Sequence, residues 1–269
     1  MMDIQNSAWE IVRLARHPKR PTSKTLIKEL FPDFIELHGD RLYGDDPSII
    51  GGIASFNEKP ITIIAQEKGV TTDDKIYRNF GMAHPEGYRK ALRLMKQAEK
   101  FRRPIFCIID TPGAYPGIGA EERGQAGAIA TNLREMSQIT VPIITVVLSE
   151  GGSGGALGIG VGDSVCMFEN SIYSILSPEG FASILYKDSS KAAEAAALMK
   201  LTAADLFQLG VIDKIILEDV GLHINYQTGF NHLKNHLESE LFRLSSFSPE
   251  KLLENRYLKY RNIGQYHIE

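Results

Sequence analysis

Only two cysteines, Cys107 and Cys166, occur in 269 residues, and both lie inside apolar runs. Two are too few for a disulfide framework and for the clustered Cys and His ligands of a structural zinc site, so a reducing compartment and a metal-free chain are expected. No apolar run approaches the roughly 20 residues needed to cross a bilayer. The start, Met1-Met2-Asp3-Ile4-Gln5, lacks a basic region followed by an apolar stretch, so no signal peptide is expected. With 30 Lys and Arg against 33 Asp and Glu the net charge is −3. No broad basic field therefore invites nucleic acid or an anionic membrane. A Gly-x-x-x-x-Gly-Lys-Ser/Thr loop is also missing, which argues against direct ATP chemistry. These absences point to a cytoplasmic protein with partners other than membrane or nucleic acid.

Two glycine-rich turns are present, each after an apolar strand. Asp110-Thr111-Pro112-Gly113-Ala114-Tyr115-Pro116-Gly117 follows Pro104 to Ile109, and Glu150-Gly151-Gly152-Ser153-Gly154-Gly155-Ala156 follows Pro142 to Leu148. Each runs into a segment of helical pattern, and N–H groups at a strand-to-helix junction are unpaired donors that favour negative charge. Two such junctions suggest backbone-built sites for developing oxyanions.

Strand–turn–helix alternation with near-continuous apolar strands predicts parallel strands covered by helices, an α/β fold. A helix from Ser23 and a hairpin of Ile49 to Phe56 with Ile61 to Lys68, turning at 57–60, precede a polar loop over 69–79. Pro85 opens a helix with Tyr88, Leu92, Met95 and Phe101 on one face, and a helix over 118–138 carries the stripe Ala126, Ile129, Ala130, Leu133, Met136. A third helix is expected over 153–161, short strands at 164–168, 172–175 and 211–217, and helices near 190–200 and 202–208. Ser177-Pro178-Glu179-Gly180 is a helix-capping pattern, and two amphipathic helices, 230–244 and 249–260, form a tail. The divisions are an N-terminal helical segment 1–48, a central domain 49–220 and a C-terminal helical tail 221–269.

Side-chain chemistry is harder to find. Gly151-Gly152-Ser153-Gly154-Gly155 satisfies Gly-x-Ser-x-Gly, with Asp205 or Asp213 and His223 or His232 downstream, so a serine hydrolase using Ser153 is one reading. Its structural alternative is a helix cap with glycines that permit close packing. Glu121 and Glu122 could serve an acyl-CoA hydratase or isomerase, yet acids in a first helical turn are ordinary dipole partners, as are Glu150 and Glu179. Met199-Lys200 falls on a helical pattern, unlike the hairpin tip of a biotin-attachment site. Two anion cradles without a base or nucleophile fit enolate chemistry in which the cofactor brings its own base.

An ordered series of motifs closely resembles the α subunits of bacterial acetyl-CoA carboxylase carboxyltransferases, of the crotonase-like superfamily. It runs through Arg16-His17-Pro18-Lys19-Arg20-Pro21, Gly39-Asp40-Arg41, Asp45-Asp46, Gly51-Gly52-Ile53-Ala54, Asn79-Phe80-Gly81-Met82 and Pro85 to Ala91. Asp110 to Gly124, Glu150 to Ala156 and Ser177 to Gly180 complete it. The resemblance implies a crotonase-like spiral of ββα units with helical additions at both ends. It also implies carboxyl transfer from carboxybiotin, on a carrier protein, to acetyl-CoA, giving malonyl-CoA in the first committed step of fatty-acid synthesis. In the family's scheme carboxybiotin releases CO2, the ureido anion deprotonates the acetyl methyl group, and the enolate attacks CO2. The partners implied are a β subunit that holds coenzyme A and carries the zinc-ribbon cysteines (an α2β2 heterotetramer), the biotin carboxyl carrier protein and biotin carboxylase. Gly151 and Gly152 are then expected to be the biotin-side oxyanion donors, with Gly154 and Gly155 keeping the approach clear. Gly113 and Ala114 are the second choice, as donors or as the opposite wall. Gly152→Val is expected to fold yet lose carboxyl transfer.

Overall fold

Ile105-Phe106-Cys107-Ile108-Ile109 is apolar without alternation because both faces of its strand are covered. Ile105, Cys107 and Ile109 point into one core, whereas Phe106 and Ile108 point into a second. A computed structural model describes residues 7–264. Among them the strands are β1 (Ile35–Glu36), β2 (Ile49–Phe56), β3 (Lys59–Gln66), β4 (Ile105–Thr111), β5 (Ile143–Gly152), β6 (Ser164–Phe168), β7 (Ile172–Ser174) and β8 (Lys214–Ile216). They form one eight-stranded sheet in the order β1-β2-β3-β4-β5-β6-β8, with β7 paired to the end of β5. β1, β2 and β3 pair antiparallel, and every later pairing is parallel.

The helices are α1 (Ala8–Ala15), α2 (Ser23–Leu30), α3 (Thr72–Tyr77), α4 (Pro85–Lys100), α5 (Ile118–Glu122), α6 (Gln125–Met136) and α7 (Ser153–Leu157). They continue with α8 (Pro178–Tyr186), α9 (Ala192–Met199), α10 (Ala203–Gln208), α11 (Tyr226–Ser245) and α12 (Pro249–Arg261). One core joins the sheet to α4, α6, α7 and α10 through residues such as Tyr88, Leu94, Met136, Ala156 and Leu206. The other joins it to α2, α11 and α12 through Leu26, Phe31, Phe230, Leu233, Leu237 and Leu252. The C-terminal helices therefore complete a face of the sheet. Arg256 of α12 is buried, donating to Asp163 and to the carbonyls of Met136, Ile139 and Val141.

Several elements differ from the sequence reading, each for a local reason. The polar stretch 69–79 is not all loop: Thr71 Oγ1 accepts from the N–H of Asp74, and an Asp74–Arg78 pair spans one turn of α3. The hairpin turns on two residues, Asn57 and Glu58 at φ 48° and 64°, so Lys59 and Pro60 already belong to β3. The helix expected over 118–138 breaks at Gly124, φ 83°, into α5 and α6. On α6 the buried face is Gln125, Ala128, Asn132 and Met136, while Ala126 and Ala130 are exposed. The amides of Gln125 and Asn132 take up backbone carbonyls, which lets polar residues replace the apolar stripe. On α4 Tyr88 and Met95 are buried as expected, joined by Ala91, Leu94 and Ala98, whereas Leu92 is half-buried and Phe101 ends the helix in solvent. β8 is shorter than expected, and α1, with a Ser7–Glu10 capping box, was not read from the sequence.

Candidate active site

β3, β4 and β5 run side by side, and their ends carry Lys68, Asp110 and Glu150 to one place. Lys68 Nζ lies 2.7 Å from Asp110 Oδ1 and 3.0 Å from Glu150 Oε2. From the other side Arg16 Nε donates to Glu150 Oε1 at 2.7 Å, and its second nitrogen reaches Glu179 at 2.7 Å. Burial alone would raise the Glu150 carboxyl, but the charges of Lys68 and Arg16 override it and hold the pKa at about 2. Burial likewise opposes charge on Lys68, and the paired carboxylates nevertheless raise it. Asp110, more deeply buried, is pushed up by desolvation despite its lysine partner. Arg20 seals the neighbouring edge, bonding Glu218 at 2.6 and 2.9 Å and the Leu148 carbonyl at 2.7 Å.

A cleft of about 520 Å³ opens over this ion chain. Arg16, Lys68, Phe80, Asp110, Pro112 and Glu150 belong to its lining. Sharing Arg16, Pro112 and Glu150 with it is a niche of about 30 Å³, bounded also by Gly151, Gly152, Ser174 and Ser177. That volume admits one or two water-sized atoms and no ring.

The structure brings the two glycine turns into contact. Gly151 and Gly152 end β5, paired with Thr111 on one side and with Tyr173 and Ser174 on the other. A Cβ on Gly152 would stand 2.1 Å from the Pro112 carbonyl oxygen, and one on Gly155 would stand 2.5 Å from Ala114 N. Gly155 therefore permits the turns to pack and does not clear an approach. Gly152→Val cannot be accommodated without backbone movement, contrary to the sequence expectation. Gly154 has ordinary room, with Ile129 at 3.7 Å. Gly113 donates its N–H to Thr111 Oγ1 at 3.0 Å, so that donor is occupied inside the turn, and neither Gly113 nor Ala114 is among the residues that line the cleft or the niche. Beyond Gly152 the strand pairing ends, and the N–H groups of the first turn of α7 have no helical partner.

The other readings lose their geometry. Ser153 is exposed at φ 52°, but the histidines and acids proposed for it are engaged elsewhere. His232 bonds the Leu217 carbonyl, His223 lies tilted against the His17 ring, Asp205 caps α10 and Asp213 holds the Val165 N–H. Glu121 and Glu122 stand exposed on α5. Met199 ends α9 and Lys200 caps it. Lys68 and Arg16 were missed as site residues because their partners lie far along the chain; Arg16 to Glu150 spans 134 positions. Lys68 reads from sequence only as a strand end.

Residues 4–264 match the family model of acetyl co-enzyme A carboxylase carboxyltransferase-like proteins. The acetyl-coenzyme A carboxylase carboxyl transferase subunit alpha of Bacillus cytotoxicus is 57% identical over 258 residues, covering 96% of this chain and 80% of that one. That of Clostridium botulinum is 55% identical over 262 residues, covering 97% and 96%. Among solved structures, transcarboxylase 12S superposes with a TM-score of 0.71 at 19% identity, over 89% of this chain and 44% of that longer one. A Pseudomonas malonate decarboxylase hetero-tetramer superposes with a TM-score of 0.68 at 15% identity, over 86% and 90%. The fold is that of crotonase-like carboxyltransferases, and the chain belongs to the family of acetyl-CoA carboxylase carboxyltransferase α subunits.

Proposed function

We propose that this chain supplies the biotin side of a carboxyltransferase active site, in which a carboxyl group passes from carboxybiotin on a carrier protein to acetyl-CoA. The supporting observation is the niche: a space of about 30 Å³ at the end of β5, sized for an oxygen, bounded by Gly151, Gly152 and the Arg16–Glu150 pair and sharing Arg16, Pro112 and Glu150 with the larger cleft. Carboxybiotin is the donor of the carboxyl group and, once that group has left, the source of the base. The chain's own part is to receive negative charge at N–H groups around Gly151, Gly152 and the first turn of α7. Preorganised donors of this kind are worth about 3–4 kcal/mol of transition-state stabilisation each. The Lys68–Glu150–Arg16 chain fixes the strand ends that carry those donors.

A β subunit holds coenzyme A in this reading, and an α2β2 assembly works in the cytoplasm with the biotin carboxyl carrier protein and biotin carboxylase. Ile118, directly after the first turn, and Ile175, directly after β7, are exposed by 79% and 75%, as surfaces covered by a partner subunit would be. The test mixes the chain with a carboxyltransferase β subunit, malonyl-CoA and free biotin. Acetyl-CoA should form only when both subunits and biotin are present. Formation without this chain, or none with every component, overturns the reading.

A further inference from the structure

The motif Asn79-Phe80-Gly81 has no part in the oxyanion site, yet it holds an unusual backbone. Asn79, Phe80 and Gly81 take φ values of 49°, 56° and 81°, three successive left-handed residues of which two carry side chains. Such conformations are costly and persist where the surroundings enforce them. Here the enforcement is visible. Asn79 Nδ2 lies 3.1 Å from His84 Nδ1, and His84 N donates to Asp46 Oδ2 at 2.6 Å. Asp46 is itself buried and accepts from the N–H and hydroxyl of Ser48. Tyr115 of the first glycine turn stacks on His84 with ring centroids 4.1 Å apart. Gly81 lies under β4, where a Cβ would stand 2.8 Å from the Asp110 carbonyl.

The outcome of this bracing is one large aromatic side chain left 49% exposed in the cleft, beside Lys68, Asp110 and Pro112. Charged groups (Arg16, Lys68, Asp110, Glu150) line the cleft together with smaller apolar residues such as Pro112 and Val70, and Phe80 adds a large apolar face that the fold leaves uncovered. We infer that Phe80 is a substrate-contacting specificity residue, the apolar wall against which the bicyclic ring of biotin lies while its ureido oxygen enters the niche. The inference rests on the carboxyltransferase reading. A ring pressed between Phe80 and the Pro112 turn loses water from its apolar flank, a contribution to binding that precedes any charge development.

The experiment uses the chain reconstituted with a β subunit and follows malonyl-CoA decarboxylation while free biotin and malonyl-CoA are varied in turn. Phe80→Ala should raise the KM for biotin by about tenfold or more and leave the KM for malonyl-CoA within about twofold, with Phe80→Tyr near wild type. Phe80 is half exposed, so thermal stability should be unchanged in both. An unchanged biotin KM, or a rise confined to malonyl-CoA, overturns the inference while the carboxyltransferase reading stands. Absence of biotin-dependent turnover in the wild-type pair overturns both. If Phe80→Ala fails to assemble, Phe80→Gln decides: a raised biotin KM supports the apolar wall, and a wild-type biotin KM overturns it.

Discussion

Gly152 lies against Pro112 so closely that a β-carbon on it would stand 2.1 Å from the Pro112 carbonyl oxygen. The two glycine turns, 40 positions apart in the chain, thus act as one packed unit beside the ion chain of Lys68, Glu150 and Arg16. Their spacing depends on the absence of side chains where they touch.

Gly152→Ala should therefore cost about 3 kcal/mol or fail to fold, because the added carbon meets backbone that cannot rotate away. Gly154→Ala meets only Ile129 at 3.7 Å and sits in α7, so it should be neutral or stabilising by about 0.5–1 kcal/mol. Thermal denaturation of the two variants side by side measures the contrast. Equal losses would contradict the packing of one turn on the other.

Much of the architecture was legible in residue order because it rests on local rules. The apolar runs at Ile105 and Ile143, the capping serine at Ser177 and the Pro85 helix start all declare themselves within a few residues. Gly124 was not read as a break because a lone glycine inside a helical pattern is tolerated at a modest cost, and its left-handed φ is not visible in the residue type. Gln125 and Asn132 hid the buried face of α6, since their burial depends on carbonyls supplied by other elements. In the site, the glycine turns were legible and the division of their roles was not. That Gly155 packs on Ala114 follows only from the meeting of β4 and β5, and the bond from the Gly113 N–H to Thr111 Oγ1 is a side-chain turn that the apolar pattern does not reveal. Lys68 gave no signal because its two carboxylates come from different strands.

Glu150→Gln tests the ion chain through pH. The Glu150 carboxyl has a folded pKa of about 2 against an ordinary 4.5, a difference worth on the order of 3 kcal/mol. A depressed folded pKa stabilises above the ordinary value and loses that contribution as pH falls through the folded one. The stability gap between wild type and Glu150→Gln should be full above about pH 4.5 and close by about pH 2. Urea titrations across that range measure it. A gap that does not change with pH would contradict the charge pairing.

Arg256 anchors the C-terminal helix by a buried pair with Asp163 at 2.7 Å. Arg256→Ala leaves Asp163 buried without its partner and three carbonyls without their donor, and should cost about 3–5 kcal/mol. The double variant Arg256→Met with Asp163→Asn should cost less than the sum of its single changes. Additive losses in chemical denaturation would mean that the two side chains are energetically independent.

The most direct measurement follows radiolabel from malonyl-CoA into free biotin, catalysed by the Ser153→Ala chain reconstituted with a β subunit. In the proposed site, where backbone donors receive the charge and no side-chain nucleophile takes part, label should transfer within about threefold of the wild-type rate. Loss of transfer in a folded, assembled Ser153→Ala enzyme would contradict that site and return the chemistry to the serine.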